Sequence, residues 1–308
     1  MPGLVCCGEF YFDFIFYRLP RLPRLGEEFV TQNFALTLGG GAVISALTAA
    51  RLGGRAELVS LVGNTALDRF ALEELREGGV SVKGTKRIAG TTGGLTVSVS
   101  MAKDRYFLTY RGANLRLERY LLSAPARVWM QRARHVHFAL SPQRWNPFTQ
   151  TLRRLRAAGV TTSWDLGWNP AAVRQPGFGK VYRMLDVVFL NRDEALRYSL
   201  ARTPEAALAK LAHPGQYVVV KLGAGGAIAQ APDGSSVLVQ GLPVRTVETT
   251  GAGDAFNGGF LHSWMSGANL TDCLRAGNIC GALSTTVPGG SPGTPTKAAL
   301  NRWMRRMR

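Results

Sequence analysis

The stretch Glu248-Thr249-Thr250-Gly251-Ala252-Gly253-Asp254-Ala255-Phe256 reads as a polar turn, a loop of small residues, and a helix (Phe256 to Trp264) that starts behind an acidic residue. Small residues at 251–253 let backbone N–H groups converge on one point, and a helix N-terminus adds the positive end of its dipole. The loop is therefore a ready anion site with an aspartate fixed beside it. Such an aspartate can take a proton from a hydroxyl while the loop holds a moving phosphoryl group. The stretch thus implies phosphoryl transfer, a reaction that needs mostly positioning and electrostatic stabilisation.

Working outward, the chain alternates strands and helices. Leu4–Gly8 reads as an apolar strand, Ala42–Leu52 as a small-residue helix after Gly39-Gly40-Gly41, Ala56–Gly63 as a strand and Asp68–Glu77 as a helix. Strands are expected at His135–Ala139, Thr161–Asp165, Val187–Leu190 and Tyr217–Leu222, with helices at Pro147–Ala158 and from Asp193, and helices dominating after Ala255. This alternation predicts an α/β fold: a doubly wound, mostly parallel sheet flanked by helices, as a single domain over 1–308. Two β-rich patches, about 10–36 and 91–111, do not fit that sheet. They are expected to pair as a small β-sheet lid, the second as a hairpin turning near Ala102–Asp104.

Composition sets bounds. The 308 residues, 46% hydrophobic, suffice for a full core. No apolar run is long enough for a membrane span, and no secretory signal is evident. Cys6, Cys7, Cys273 and Cys280 lack metal-ligand spacing and read as buried free thiols of a cytoplasmic protein. The 37 basic against 20 acidic residues give a net charge of +17. That balance favours anionic partners. No helix-turn-helix, zinc-finger or aromatic-basic signature accompanies it, so the excess reads as a solvated surface and not as a nucleic-acid site.

The order of motifs resembles the ribokinase-like sugar kinases, the PfkB carbohydrate kinase family, over nearly the whole chain. The run Gly251-Ala252-Gly253-Asp254-Ala255-Phe256 carries that resemblance most specifically. It implies that Asp254 is the general base toward a sugar hydroxyl and that Gly251, Ala252 and Gly253 stabilise the transferring γ-phosphoryl group of ATP. Asn191-Arg192-Asp193-Glu194 follows a strand, and by resemblance Asn191 lies beside the triphosphate while Glu194 reaches Mg²⁺ through water. A helix cap is the plainer reading of the same residues. The resemblance puts Lys221, Gly223 and Gly226 at the ATP phosphates and nucleotide, and Asn278 near the adenine or ribose; a hairpin turn before Ala227 is the alternative for the glycines.

On the substrate side, the resemblance assigns Asp13, Gly40, Gly41, Arg111 and Asp165 to the sugar pocket, with Arg111 suited to a carboxylate or phosphate. Departures are plain here. The family's Asn after its glycines falls on Ile44 or Ser45, with Asn33 a candidate replacement, and Gly63-Asn64-Thr65 stands for Gly-Asp-Asp. Glu248 replaces an aspartate that helps bind a monovalent cation, so K⁺ activation is an expectation attached to Glu248. The reading is an ATP-dependent sugar kinase. A nucleoside kinase, with Phe12, Phe14, Trp145 or Trp168 stacking on a base, and a non-catalytic sugar-binding protein remain alternatives. The third glycine and downstream acid of a dinucleotide fingerprint are missing, which argues against a dehydrogenase. An exposed lid edge suggests pairing with a second copy.

Overall fold

Alternate residues of the first strand, β1 (Leu4–Gly8), divide between two apolar layers. Val5 and Cys7 join one buried cluster, Leu4 and Cys6 the other. A strand covered on both faces belongs inside a parallel sheet with helices on either side. The computed structural model, which describes residues 3–101, 105–167 and 169–307, contains that sheet.

After β1 come β2 (Tyr11–Leu19), β3 (Phe34–Gly39), α1 (Gly41–Arg51), β4 (Ala56–Val59), β5 (Leu61–Val62), α2 (Ala66–Glu77), β6 (Val80–Ser81) and β7 (Lys86–Arg87). The chain continues through β8 (Gly94–Met101), β9 (Arg105–Tyr110), α3 (Leu117–Leu121), α4 (Ala124–Gln131), β10 (His135–Ala139), α5 (Asn146–Ala157) and β11 (Thr161–Asp165). The last third holds α6 (Phe178–Tyr182), β12 (Val187–Asn191), α7 (Arg192–Ser199), α8 (Pro204–Leu211), β13 (Tyr217–Lys221), β14 (Ala227–Gln230), β15 (Ser236–Val239), α9 (Ala252–Met265), α10 (Leu270–Ser284) and α11 (Lys297–Arg306).

Nine strands of the described residues form the main sheet in the order β15-β14-β13-β12-β11-β10-β1-β4-β6. Pairing is parallel from β6 to β13 and antiparallel at β14 and β15. From β1 the chain builds outward in both directions, so a switch point lies between β1 and β10, where ligands bind in open α/β sheets. The expected single strand over 56–63 is broken instead. Ser60 Oγ donates to Gly8 O at 2.7 Å, and the chain beyond it leaves the main sheet to pair with β7. The four thiols are free and buried, as expected. Among the described residues, no helix is long and apolar enough to cross a membrane.

The two leftover β patches do pair with each other. They form a second sheet in the order β3-β2-β8-β9, with β2 and β8 parallel and the outer pairs antiparallel. The expected hairpin exists as β8 and β9, while its turn at 102–104 lies outside the described residues. Asp68, 1% exposed, fastens the root of this lid to the main body. It accepts the N–H groups of Gly63 and Thr65, both at 3.0 Å, and of Gly93 at 2.8 Å. Thr65 in turn caps α2. The departure at Gly63-Asn64-Thr65 thus serves a helix start.

Candidate active site

Helix α9 begins at Ala252, four residues earlier than the sequence suggests, so Asp254 lies within its first turn. The reason is Gly251. Its φ of +75° ends the preceding turn, and it takes the N-cap position without a side-chain bond. Ala252 N–H closes a turn on Thr249 O at 3.3 Å. The N–H groups of Gly253 and Asp254 are left unbonded within the chain among the described residues, as the first turn of a helix requires. The unbonded N–H groups thus lie at 253–254, one residue further along than the expected 251–253. Asp254 does not cap the helix and keeps its carboxylate available.

Helix α1 holds that carboxylate from the other side. Asp254 Oδ1 lies 2.7 Å from where a Cβ on Gly41 would be, so any side chain at Gly41 would collide with it. Ser45 Oγ donates to Asp254 O at 2.9 Å, and Ile44, 2% exposed, packs its Cδ1 against Gly251 and Gly290. Of the two candidates for the missing Asn, one supports the loop and the other binds the backbone of α9. Burial pushes the Asp254 carboxyl up to about 7, with Asp165 and Asp13 adding to the rise and the Lys221 ammonium opposing it.

Asp13, 7% exposed, faces inward from β2 and lies directly on Gly39. Burial, aided by Glu248, pushes it up to about 7 as well. Register reveals its neighbours. Asp13 pairs with Thr37 on β3 and Thr96 on β8, and Thr96 pairs with Thr109 on β9. Laterally paired residues share a face of a sheet. The lid therefore presents a rung of three hydroxyls and one carboxylate, which the sequence patterning did not disclose. Asn33 lies at the far end of β3, next to Phe34, and does not stand in for the missing Asn.

On the nucleotide side, Asn191 and Glu194 form a capping box. Asn191 Oδ1 accepts Glu194 N–H, and Glu194 Oε2 accepts Asn191 N–H, both at 2.8 Å. The plain reading of these residues is thus correct, and it leaves Glu194 Oε1 outside the cap. Burial lifts Glu194 to about 7; Asp165 adds to this, and Lys221 and the Asn191 N–H oppose it. Gly223 and Gly226 form the β13–β14 hairpin turn, closed by Leu222 N–H to Gly226 O at 2.8 Å. Gly226 abuts residues 239–241, and Asn278 Nδ2 donates to Val239 O at 3.0 Å and Gln240 O at 3.1 Å. Asn278 and Gly226 therefore meet on one short segment.

Lys221 connects the two sides. Its Nζ lies 2.6 Å from Asp165 Oδ2 and 3.3 Å from Asn257 Oδ1, and 3.1 Å from where a Cβ on Gly253 would be. Asn257 Nδ2 donates to the same Asp165 oxygen at 2.6 Å, and Gly167 N–H bonds Oδ1 at 3.3 Å. Burial alone would raise the Asp165 carboxyl, but Lys221 and the bonds from Lys221 and Asn257 hold it below the usual carboxylate range. Burial would lower Lys221; Asp165, Glu194 and Asp254 hold it above its usual value. Asn257, three residues after Asp254 on α9, was missed in the sequence, although helical spacing puts both on one side. Behind this group, burial pushes His137 down to about 4, with Asp165 opposing and Lys221 assisting, so it is neutral and no acid–base partner.

Two more of the expected residues, Arg111 and Glu248, are engaged by neighbours of their own. Arg111 pairs with Glu9 at 2.9 Å on the lid's outer root, while Asn114 clamps Phe10 N and O at 3.2 and 2.7 Å. Glu248, 5% exposed, accepts Thr250 N–H at 2.8 Å and Oγ1–H at 2.6 Å through Oε1, and its buried Oε2 has no hydrogen-bond partner among the described residues. Among the aromatics offered for base stacking, Phe12 and Trp145 are core residues, Phe14 packs with Phe34 at 6.4 Å between centroids, and Trp168 lies outside the described residues.

A parallel sheet with a switch-point crevice, a glycine loop and a β-sheet lid defines a ribokinase-type fold. A solved ribokinase from Arabidopsis thaliana, complexed with ribose and ATP, has this fold, with a TM-score of 0.84 and 23% identity over 99% of each chain. The chain belongs to the pfkB family of carbohydrate kinases, whose model matches residues 1–297. It is 30% identical over 302 residues to the ATP-dependent ribose-1-phosphate kinase of Halopiger xanaduensis, covering 97% of both chains. It is also 28% identical to the 2-dehydro-3-deoxygluconokinase of Bacillus subtilis, covering 87% of both.

Proposed function

We propose that the protein transfers the γ-phosphoryl group of ATP to a sugar hydroxyl. The observation that carries this reading is the Asp254 carboxylate, held against Gly41 in the first turn of α9 with unbonded N–H groups beside it and its proton affinity raised to about 7. A base poised near neutral pH removes the hydroxyl proton as the oxygen attacks phosphorus. The Gly251–Asp254 turn and Lys221 balance the charge on the moving group. ATP lies along Asn191, Lys221, Gly223–Gly226 and Asn278; the sugar lies between Gly39–Gly41 and the hydroxyl rung of the lid.

Mg²⁺ fits Glu194, whose Oε1 stays outside the cap. When bound, it neutralises phosphate charge. K⁺ fits the buried, unpartnered Oε2 of Glu248. Asp254→Asn tests the whole reading in an assay of ADP release across sugars and nucleosides. Turnover falls by about 10²–10⁴-fold when a general base is lost. A drop smaller than about tenfold removes Asp254 from that role.

A further inference from the structure

A cleft of about 320 Å³ opens beside the Gly40–Gly41 turn, next to the proposed sugar site. Glu9, on its wall, has its carbonyl pressed against Gly40, and Leu140, also on its wall, follows Ala139, whose Cβ lies 3.0 Å from where a Cβ on Gly41 would be. The cleft therefore borders the Gly40–Gly41 backbone, and Asp254 Oδ1 and Ala139 Cβ both approach the same point beside Gly41.

Three guanidinium groups from three separate segments line the cleft: Arg111 after β9, Arg119 on α3 and Arg144 ahead of α5. Two carboxylates share its wall, and both are engaged. Glu9 binds Arg111, and Glu118 accepts Gln143 N–H at 2.7 Å. Arg119 and Arg144 have no acidic partner among the described residues. Among the described residues no carboxylate neutralises these two charges, which lie next to the proposed sugar site.

We infer that the acceptor already carries a phosphate, and that Arg119 and Arg144, with Arg111, bind that phosphate in this cleft. This rests on the phosphotransfer reading above and narrows its substrate class. Two planar guanidinium groups match a phosphate dianion in charge and in donor geometry, better than they match a single carboxylate. The sugar then spans from the arginine cleft to Asp254, with one end fixed and the hydroxyl at the other end presented. The hydroxyl oxygen bonds to the γ-phosphorus of ATP as the bond from that phosphorus to the β–γ bridging oxygen breaks. ADP leaves with the electron pair, Asp254 takes the proton, and the product is a sugar bisphosphate. Ile44 agrees with this scheme, since an acceptor anchored by its phosphate depends less on a polar group at that position.

The test measures ADP release with ribose, ribose 1-phosphate, ribose 5-phosphate, ribonate, fructose and fructose 6-phosphate, using the wild type and the Arg119→Gln/Arg144→Gln double variant. The expected result is a kcat/KM at least about tenfold higher for one sugar phosphate than for its free sugar, and a KM for it that rises about tenfold or more in the variant. Added salt also raises that KM in the wild type, because these arginines are exposed. Preference for a free sugar, or for ribonate, overturns the inference and leaves the kinase reading intact. An unchanged KM in a variant with wild-type melting temperature overturns it too. If no acceptor releases ADP, the kinase reading fails separately. Calorimetry with the same sugar phosphates then decides: binding weakened by the double variant supports the cleft assignment, and unaltered or absent binding overturns it.

Discussion

Lys221 and Asp165 form an ion pair of 2.6 Å at the carboxyl ends of two strands that flank β12, with both side chains only 12% exposed. Solvent screens such a pair little, and each partner compensates the other's burial. Lys221→Met leaves Asp165 uncompensated and costs about 3–5 kcal/mol of stability. Adding Asp165→Asn restores most of that loss, because the buried carboxylate paired directly with Lys221 is gone. Activity stays low in both variants, since the cation beside Gly253 is gone. Thermal melting and kcat of the two variants check this; a single variant as stable as wild type contradicts it.

With Asp254 as the proposed base, the rate is expected to follow its ionisation. Only the ionised carboxylate accepts a proton, so kcat/KM rises with pH through about 7 and then levels off. Asp13 contributes to the high value, so Asp13→Asn moves the acid limb to lower pH. Stability runs the other way. Asp254, Asp13 and Glu194 all have folded values raised above their unfolded ones. Their contribution is complete below the unfolded carboxylate range and is lost as pH rises through about 7. Asp165 is depressed, so its contribution is present above its unfolded value and is lost only as pH falls through its folded one. Between about pH 5 and 8 the raised groups decide the trend, and Tm falls. Each unit of displacement corresponds to about 1.4 kcal/mol, so Asp254→Asn raises Tm at pH 8 while lowering activity. Melting curves at both pH values for the variant and the wild type read this directly; a higher wild-type Tm at pH 8 contradicts it.

Ile44 supports the anion loop through contact with Gly251 and Gly290. Ile44→Ala opens a cavity there, at a cost of about 2–5 kcal/mol. The loop loses its backing, and kcat falls about tenfold or more because small displacements at a reacting centre are expensive. Steady-state kinetics well below the melting point separate the two effects. A stable variant with unchanged kcat removes the supporting role.

The lid's outer face is apolar and uncovered. Phe34, Leu36, Tyr106 and Leu108 are 45%, 42%, 50% and 73% exposed, and their pairing partners Phe16, Phe14, Val99 and Val97 share that face. A second copy of the chain covering this face gives a homodimer, an arrangement that keeps such a patch from water. Sedimentation of the wild type is expected to show a dimer, and the Leu36→Asp/Leu108→Asp variant a monomer. A monomeric wild type at micromolar concentration ends this proposal.

Much of the site is legible in the sequence because it is local. A glycine loop before a helix needs only Gly251–Asp254, and the capping box needs only Asn191 and Glu194. The strands and helices are legible for the same reason, since apolar periodicity is carried by neighbouring residues. Even there the start of α9 was misplaced: Gly251's positive φ, not the apolar pattern, decides where the helix begins.

The remainder is not local. Lys221, Asp165 and Asn257 lie on two strands and a helix, 56 and 36 residues apart from Lys221, and parallel crossovers bring them together. Thr37, Thr96 and Thr109 become neighbours of Asp13 only through the lid's register, and a shift of one residue would turn them to the other face. By itself, the sequence determined the glycine loop and the acidic residue behind it, because these follow from short-range geometry. The tertiary structure alone decided which charges neutralise one another and which arginines, among the described residues, stay without an acidic partner. Coulombic interactions and burial depend on distance in space, and folding sets that distance.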